Sequence, residues 1–298
     1  MTTRSVIGNT PKRREDFRFL RGRGTYLDDL VFADMAQAVV VRSPHAHALI
    51  ERIGTETARA APGVLAVSTA EEARADGLKP LRPSAEANVQ TGEKFAFAPQ
   101  PVLAHGKVRY VGEPVALIVA ETRAQALDAA EQVMVDYTPL PTVTSATAAR
   151  SGGAPEISAE VPGNICFDWH VGDAAAVHAA FATAAHVVTL GLDNHRIVTN
   201  PIEPRGVVGL WDAEQGRYTA YVSSQSIHTT RDNAAHALGF APAAVRFVAP
   251  DVGGGFGAKN FIYPEHVLIL WAARRVGRPV KWIATRGEVF LARLYGRL

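Results

Sequence analysis

Apolar positions in the first half of the chain fall in blocks of strand length separated by turn residues. Residues 35–41 form an apolar-rich run closed by Ser43 and Pro44, where the residue before proline is held extended, and they predict a strand. Residues 108–110 and 115–120, broken by Gly112, Glu113 and Pro114, predict a further pair. Thr122 is placed to cap a helix over 123–132, with Ala126, Ala129 and Ala130 as its small inner face. Residues 134–137 read as another short strand, ended by Pro139 and Pro141. Strand, helix and strand in this order predict a compact α+β unit.

Residues 142–163 mix Ser, Thr, Ala, Gly and Pro without periodicity and read as a linker. Beyond it, Asp173 can cap an alanine-rich helix running to Ala185, and strands are predicted at 186–192, 206–211 and 218–223. A helix over 230–238 stops at Gly239, where a left-handed residue closes helices. Residues 245–249 predict a strand that leads into a glycine run. Pro264–Val276 is the clearest helix, with Val267, Leu268, Leu270 and Trp271 on an apolar face and Gly277 after its end. A strand at 280–284 returns from it. The expected organisation is a polar, basic arm at 1–24, a domain at 25–141, the linker at 142–163 and a second domain at 164–298.

Composition narrows the classes. A length of 298 residues suits two domains, and 47% apolar with 20% charged residues suffices for packed cores. The net charge is +2, from 31 basic and 29 acidic side chains, and the basic ones are scattered, so no nucleic-acid partner is expected. The single cysteine, Cys166, excludes an internal disulfide and any Cys-x-x-Cys site for zinc or iron–sulfur. It reads as a buried small residue, and a reducing compartment follows. No apolar run approaches the ~18–20 residues of a membrane span. Arg13 and Arg14 are followed by Glu15, Asp16 and Arg18 rather than an apolar stretch, so an export signal is not expected and the location is taken as cytoplasmic. His45 and His47 lack a third ligand nearby and read as domain-interface residues rather than a metal site.

The sharpest local feature is Gly253, Gly254, Gly255, Phe256 and Gly257, between a predicted strand and helix. Four glycines in five residues cost backbone entropy and persist where positive φ or close approach of a ligand is required. Successive exposed N–H groups in such a turn make a concave nest for an anion. Neither the dinucleotide-binding nor the P-loop spacing is met, because Lys259 follows Ala258 and precedes Asn260. Phe256 in the middle of an exposed turn points to a ligand at its side.

The run 249–259 (APDVGGGFGAK) resembles the glycine–phenylalanine loop of molybdenum hydroxylase large subunits, the xanthine dehydrogenase, aldehyde oxidase and carbon monoxide dehydrogenase family. Residues 42–48 (RSPHAHA), 62–64 (PGV) and 108–116 (VRYVGEPVA) are similar to that family's a/b hammerhead domain. Residues 200–206 (NPIEPRG) and Ser224, Gln225, Ser226 and His228 are similar to the start of its molybdopterin-binding region. The resemblance implies an α+β fold, with the aldehyde oxidase/xanthine dehydrogenase a/b hammerhead domain followed by the first part of a molybdopterin-binding α+β domain.

The resemblance also implies site residues. Gln225 corresponds to the catalytic-site glutamine whose amide hydrogen-bonds an oxygen ligand of molybdenum, a role suited to a donor that stays uncharged. Phe256 and Gly257 correspond to loop residues beside the metal and its pterin, with the Gly257 N–H reaching a ligand or pterin oxygen, and Gly254 and Gly255 support the same cofactor-binding turn. Glu203 and Arg205, flanking Pro204, are expected to lock a turn by a salt bridge behind the site. None of these residues ligates the metal directly. The implied cofactor is molybdenum–molybdopterin, in the molybdopterin cytosine dinucleotide form, with FAD and 2Fe-2S centres on separate flavin and iron–sulfur subunits and a small-molecule substrate.

Large subunits of the family continue past the position of Leu298 to a glutamate that serves as general base, so the resemblance implies a missing C-terminal half, possibly a separate chain. Asn260 stands where purine-hydroxylating relatives tend to carry glutamate, which tilts the expected substrate towards aldehydes, heteroaromatics or a carbon monoxide dehydrogenase-like protein of unknown substrate. The alternative is a truncated, non-catalytic remnant or a docking module. Either way, an exposed apolar patch is expected where the rest of the cofactor domain would pack.

Overall fold

A computed structural model describes residues 7–8, 10, 12–83, 85–88, 91–193 and 197–291. In chain order the elements begin α1 (Asp16–Phe19), β1 (Ala36–Arg42), β2 (Ala48–Gly54), α2 (Glu56–Ala60), β3 (Val64–Thr69), α3 (Ala70–Ala75), β4 (Lys107–Val108), β5 (Pro114–Ala120), α4 (Arg123–Ala130) and β6 (Met134–Pro139). They continue α5 (Ala146–Ala149), α6 (Ala174–Thr183), β7 (Gly206–Asp212), β8 (Arg217–Val222), α7 (Ile227–Leu238), β9 (Val245–Val248), α8 (Pro264–Val276), β10 (Val280–Ile283) and α9 (Arg286–Leu291).

Seven strands form one mixed sheet in the order β3-β5-β1-β10-β7-β8-β9, and β4-β2-β6 form a second. Strands from before and after residues 142–163 therefore share the larger sheet. The join is the parallel pairing of β1 with β10, Ala36 opposite Val280 and Gln37 opposite Lys281. Every residue of β5 is buried because both faces of that strand are covered. Leu117 and Val119 enter the main core with α8, whereas Ala116, Ile118 and Ala120 meet Ala126 and Ala129 of α4. The small inner face of α4 read from the sequence is thus the face that packs on the sheet, and Thr122 caps the helix by accepting from Gln125 N.

Helix α8 lies under β7 at a distance set by a missing side chain. A Cβ on Gly209 would stand 2.8 Å from the carbonyl oxygen of Ile269. With no Cβ in the way, helix and sheet backbones meet directly, and ten residues of α8 from Pro264 to Ala273 are buried. Gly239 and Gly277 close α7 and α8 in the left-handed conformation, at φ 75° and 65°.

Several elements escaped the periodicity. β2 carries a register shift between Ile50 and Arg52, which breaks the alternation that marks a half-buried strand. The capping box of α3, Thr69 with Glu72, is legible as Thr-x-x-Glu but precedes a helix of six residues, too short for a periodic signal. The strand expected at 186–192 does not form. Its described residues pair with no strand, and Val187, Val188, Leu190 and Leu192 stand exposed. Apolar runs become strands only when an edge receives their N–H and C=O groups. Cys166 is exposed rather than buried. Between residues 165 and 202, Phe167, Trp169, Val177, Phe181 and Ile202 are exposed as well as the four residues just named.

Candidate functional site

Strand register gathers the site. β7 runs antiparallel to β8 with Val207 opposite Val222, β8 runs parallel to β9 with Tyr221 opposite Val248, and Ile283 of β10 lies opposite Gly206. The segments 203–205, 223–225 and 249–259, and the start of α9, consequently emerge at one end of the sheet. The arm reaches the same end. Arg18 forms an ion pair with Asp251, and Thr25 N donates to the same carboxylate at 2.7 Å.

The glycine run is an open turn held from beneath. Gly254, Phe256 and Gly257 have φ of 93°, 49° and 85°. Phe256 is the costly member, because a side chain at positive φ is strained by on the order of 1–3 kcal/mol, and the residue is 69% exposed. A Cβ on Gly255 would lie 2.4 Å from Gln225 Cδ, and one on Gly253 would lie 2.5 Å from Glu203 Cβ. A Cβ on Gly257 would meet nothing within 4 Å. The first two glycines are required by close packing and the last faces open space. Among the described residues, the N–H groups of Gly254, Gly255 and Phe256 donate no hydrogen bond.

Gln225 lies against this turn. Its N–H donates to Lys259 O at 2.9 Å, and its Oε1 accepts from Gly257 N at 3.0 Å and from Lys259 N at 3.3 Å. Gln225 is therefore brought against the turn that carries Gly255, Phe256 and Gly257. The Gly257 N–H, expected to face a ligand, is instead taken up by Gln225.

Glu203 and Arg205 are not partners of each other, so the expected salt bridge across Pro204 is corrected. Each side chain is instead paired where packing brings a charge of opposite sign against it. Glu203 Oε2 accepts from Lys259 Nζ at 2.9 Å, Gly253 N at 2.8 Å and Ser223 Oγ, while Oε1 accepts from Leu27 N at 3.2 Å. Arg205 lies deeper, its guanidinium carbon 3.7 Å from the Tyr263 ring centroid and Nη1 3.8 Å from Glu265 Oε2. Glu265 also receives Arg42 at 2.6 Å, and Arg42 Nε reaches Glu288 at 2.9 Å.

Burial lowers the pKa of the Lys259 ammonium, and contact with the Glu203 carboxylate offsets part of that effect. Burial alone would raise the pKa of Glu265, but Arg42 and Arg205 outweigh it and hold the carboxyl below its usual range. Burial pushes His266 down to about 4, consistent with a neutral ring that accepts from Tyr263 N at 3.1 Å. The sequence reading placed Lys259 and Arg42 in runs that carry the resemblance but gave neither a role of its own, and it missed Glu265, whose ion pair with Arg42 spans 223 residues of sequence.

The His45 ring lies 4.8 Å from that of Tyr137 at a tilt of 55°, and His47 Nδ1 bonds Pro141 O at 2.7 Å. Among the described residues no group of three or more His, Cys, Asp or Glu side chains is placed to hold a metal ion.

Similarity to known proteins extends over almost the whole chain. Residues 21–141 match the family described as "Aldehyde oxidase and xanthine dehydrogenase, a/b hammerhead domain", and residues 157–297 match "Molybdopterin cofactor-binding domain". The chain belongs to the molybdenum hydroxylase large-subunit family. Among relatives in that family, the carbon monoxide dehydrogenase large chain of Hydrogenophaga pseudoflava is 36% identical, over 95% of this chain and 36% of its own. The nicotine 6-hydroxylase large subunit of Paenarthrobacter nicotinovorans is 37% identical, over 97% and 35%. The crystal structure of quinoline 2-oxidoreductase from Pseudomonas putida 86 superimposes with a TM-score of 0.87 at 34% identity, covering 98% of this chain and 36% of that one. The chain thus spans about a third of the length of the molybdenum hydroxylase large subunits it matches. Among the described residues no helix is long and apolar enough to cross a membrane.

Proposed function

We propose that this chain supplies part of a molybdopterin site in an oxidoreductase that hydroxylates an aldehyde, heteroaromatic or related small molecule. Water is the oxygen source, and each turnover releases two electrons and two protons. The electrons pass to 2Fe-2S and FAD groups on iron–sulfur and flavin partner subunits. The cofactor is proposed in its molybdopterin cytosine dinucleotide form, and the general base belongs to a further stretch of large subunit. The observation that carries the reading is the open turn 253–257 with Gln225 against it.

The residues present fit such a group. Three successive N–H groups, those of Gly254, Gly255 and Phe256, remain for its oxygens. Gly257 faces open space, and the exposed Phe256 ring offers an apolar wall. When bound, the molybdenum centre would accept the electrons and activate water. Gln225 has its oxygen committed to Gly257 N and Lys259 N, so its Nε2 hydrogens are the donors it can offer. Glu203 holds the turn from behind through Gly253 N.

The exposed apolar stretch between 165 and 202 supports a covering partner, proposed as the remaining part of the large subunit. Purification after co-expression with a candidate C-terminal half and the two partner subunits, followed by metal analysis, tests the assignment. The expected result is about one molybdenum per complex, as one site requires, and loss of turnover in Gln225→Ala without loss of assembly. Assembly of a complex that never retains molybdenum would favour a docking module. Wild-type turnover in Gln225→Ala would remove that residue from the site.

A further inference from the structure

The Lys259 side chain is 0% exposed, which is unusual for a residue in a turn that carries a 69% exposed phenylalanine next to a glycine at open space. A buried ammonium persists only when paired, and this one meets Glu203 Oε2 at 2.9 Å. The same carboxylate accepts from Gly253 N at the other end of the turn. One residue thereby ties both ends of the glycine run to the segment 203–205.

The backbone of Lys259 completes a second set of contacts. Its carbonyl oxygen accepts from Gln225 N at 2.9 Å and from Ser224 Oγ at 3.2 Å, while its N–H donates to Gln225 Oε1 at 3.3 Å. Gly257 N donates to the same oxygen at 3.0 Å. A carboxamide is two-faced, since either its oxygen or its nitrogen can point at a neighbour. Two backbone donors converging on one atom settle the question here, because a rotated amide would set its own N–H groups against two N–H donors.

We infer that Lys259, acting through Glu203, is a positioning residue: its buried ion pair clamps the turn so that the N–H groups of residues 257 and 259 hold the Gln225 oxygen inward and leave its NH₂ as the outward donor. The inference rests on the proposed function for its purpose, but its geometry is testable without cofactor. Arg286, which donates to the carbonyl oxygens of Pro201 and Ile202 at 2.7 Å, fixes the chain just ahead of residues 203–205.

Hydrogen exchange on the full chain, read amide by amide, gives the test. Lys259→Met keeps the length and apolar stem and removes the charge. Exchange at Gly253 and Gly257 is expected to rise about tenfold or more, with the amides of α8 unchanged within about twofold. A merely structural role would raise exchange across α8 as well, and that result would overturn the inference. So would unaltered protection at Gly253 and Gly257. If the stranded Glu203 charge prevents Lys259→Met from folding, the pair Lys259→Met with Glu203→Gln removes both charges and is read in the same way. Molybdenum content of the wild-type complex is measured in parallel. A wild type that holds no molybdenum defeats the proposed function, and the exchange pattern still decides the clamp.

Discussion

Arg42→Met strikes the buried ion cluster that joins β1 to α8 and α9. The Arg42 side chain is 7% exposed and donates to Glu265 at 2.6 Å, to Glu288 at 2.9 Å and to Gly112 O at 3.2 Å. Glu265 is 1% exposed and, among the described residues, its cationic partner once Arg42 is removed is Arg205, at 3.8 Å. Removing one partner of a buried pair costs about 3–5 kcal/mol, because the remaining charge is left uncompensated. Arg205 offsets some of this, which places the expected loss at about 3–4 kcal/mol, or a fall in melting temperature of roughly 6–16 °C for a chain of this size. Urea unfolding at neutral pH measures it. Glu265→Gln added to Arg42→Met should recover more than half the loss, because it removes the stranded carboxylate. A single-variant loss below about 1 kcal/mol, or a double variant no better than the single, would refute the account. The pH dependence supplies a second check. Arg42 and Arg205 outweigh burial and hold the Glu265 carboxyl below its usual range, so its contribution is present above the unfolded carboxylate pKa and is lost as pH falls through the depressed folded value. Without Arg42 that loss moves to higher pH.

Burial holds His266 at about 4, below its unfolded pKa of about 6.5, so the folded chain binds fewer protons between those values. Stability should therefore fall by on the order of 2–3 kcal/mol as pH drops across that window, and His266→Gln, which can still accept from Tyr263 N, should flatten the slope in urea titrations. Glu113 is the opposite case: burial raises its carboxyl pKa against the opposing contact with Arg109 N, so stability is lost as pH rises through the folded value. Glu113→Gln should accordingly be neutral near pH 4 and more stable than wild type at pH 8, and equal midpoints at both would contradict the reading. Gly209→Ala should cost about 1–3 kcal/mol by pushing α8 off β7, seen as a lower urea midpoint, whereas a neutral result would mean that the helix shifts freely. Gly257→Ala has space for its Cβ and should cost only about 1 kcal/mol through its positive φ, against a larger loss for Gly255→Ala, whose Cβ meets Gln225.

The sequence by itself determined the local structure with strong signals. Helix α8 was bounded by Pro264 and Gly277 because a proline at its first position and a left-handed residue after its end are written in the residue types. The same holds for Gly239 after α7, for Thr122 before α4, and for the family, carried by the order of residues 42–48, 108–116, 200–206 and 249–259. The turn 253–257 was legible as special because only a functional or steric demand keeps four glycines in five residues around a phenylalanine.

Tertiary structure alone decided the rest. The pairing of β1 with β10 brings residues 36–37 against 280–281, and no local pattern encodes a contact over that separation. Run 186–192 had strand composition but found no edge, and strand identity depends on that edge as much as on side chains. Glu203 and Arg205, two positions apart, took partners in different layers, Lys259 and Glu265. A buried charge must be paired where it comes to rest, and that place is set by packing rather than by proximity in sequence.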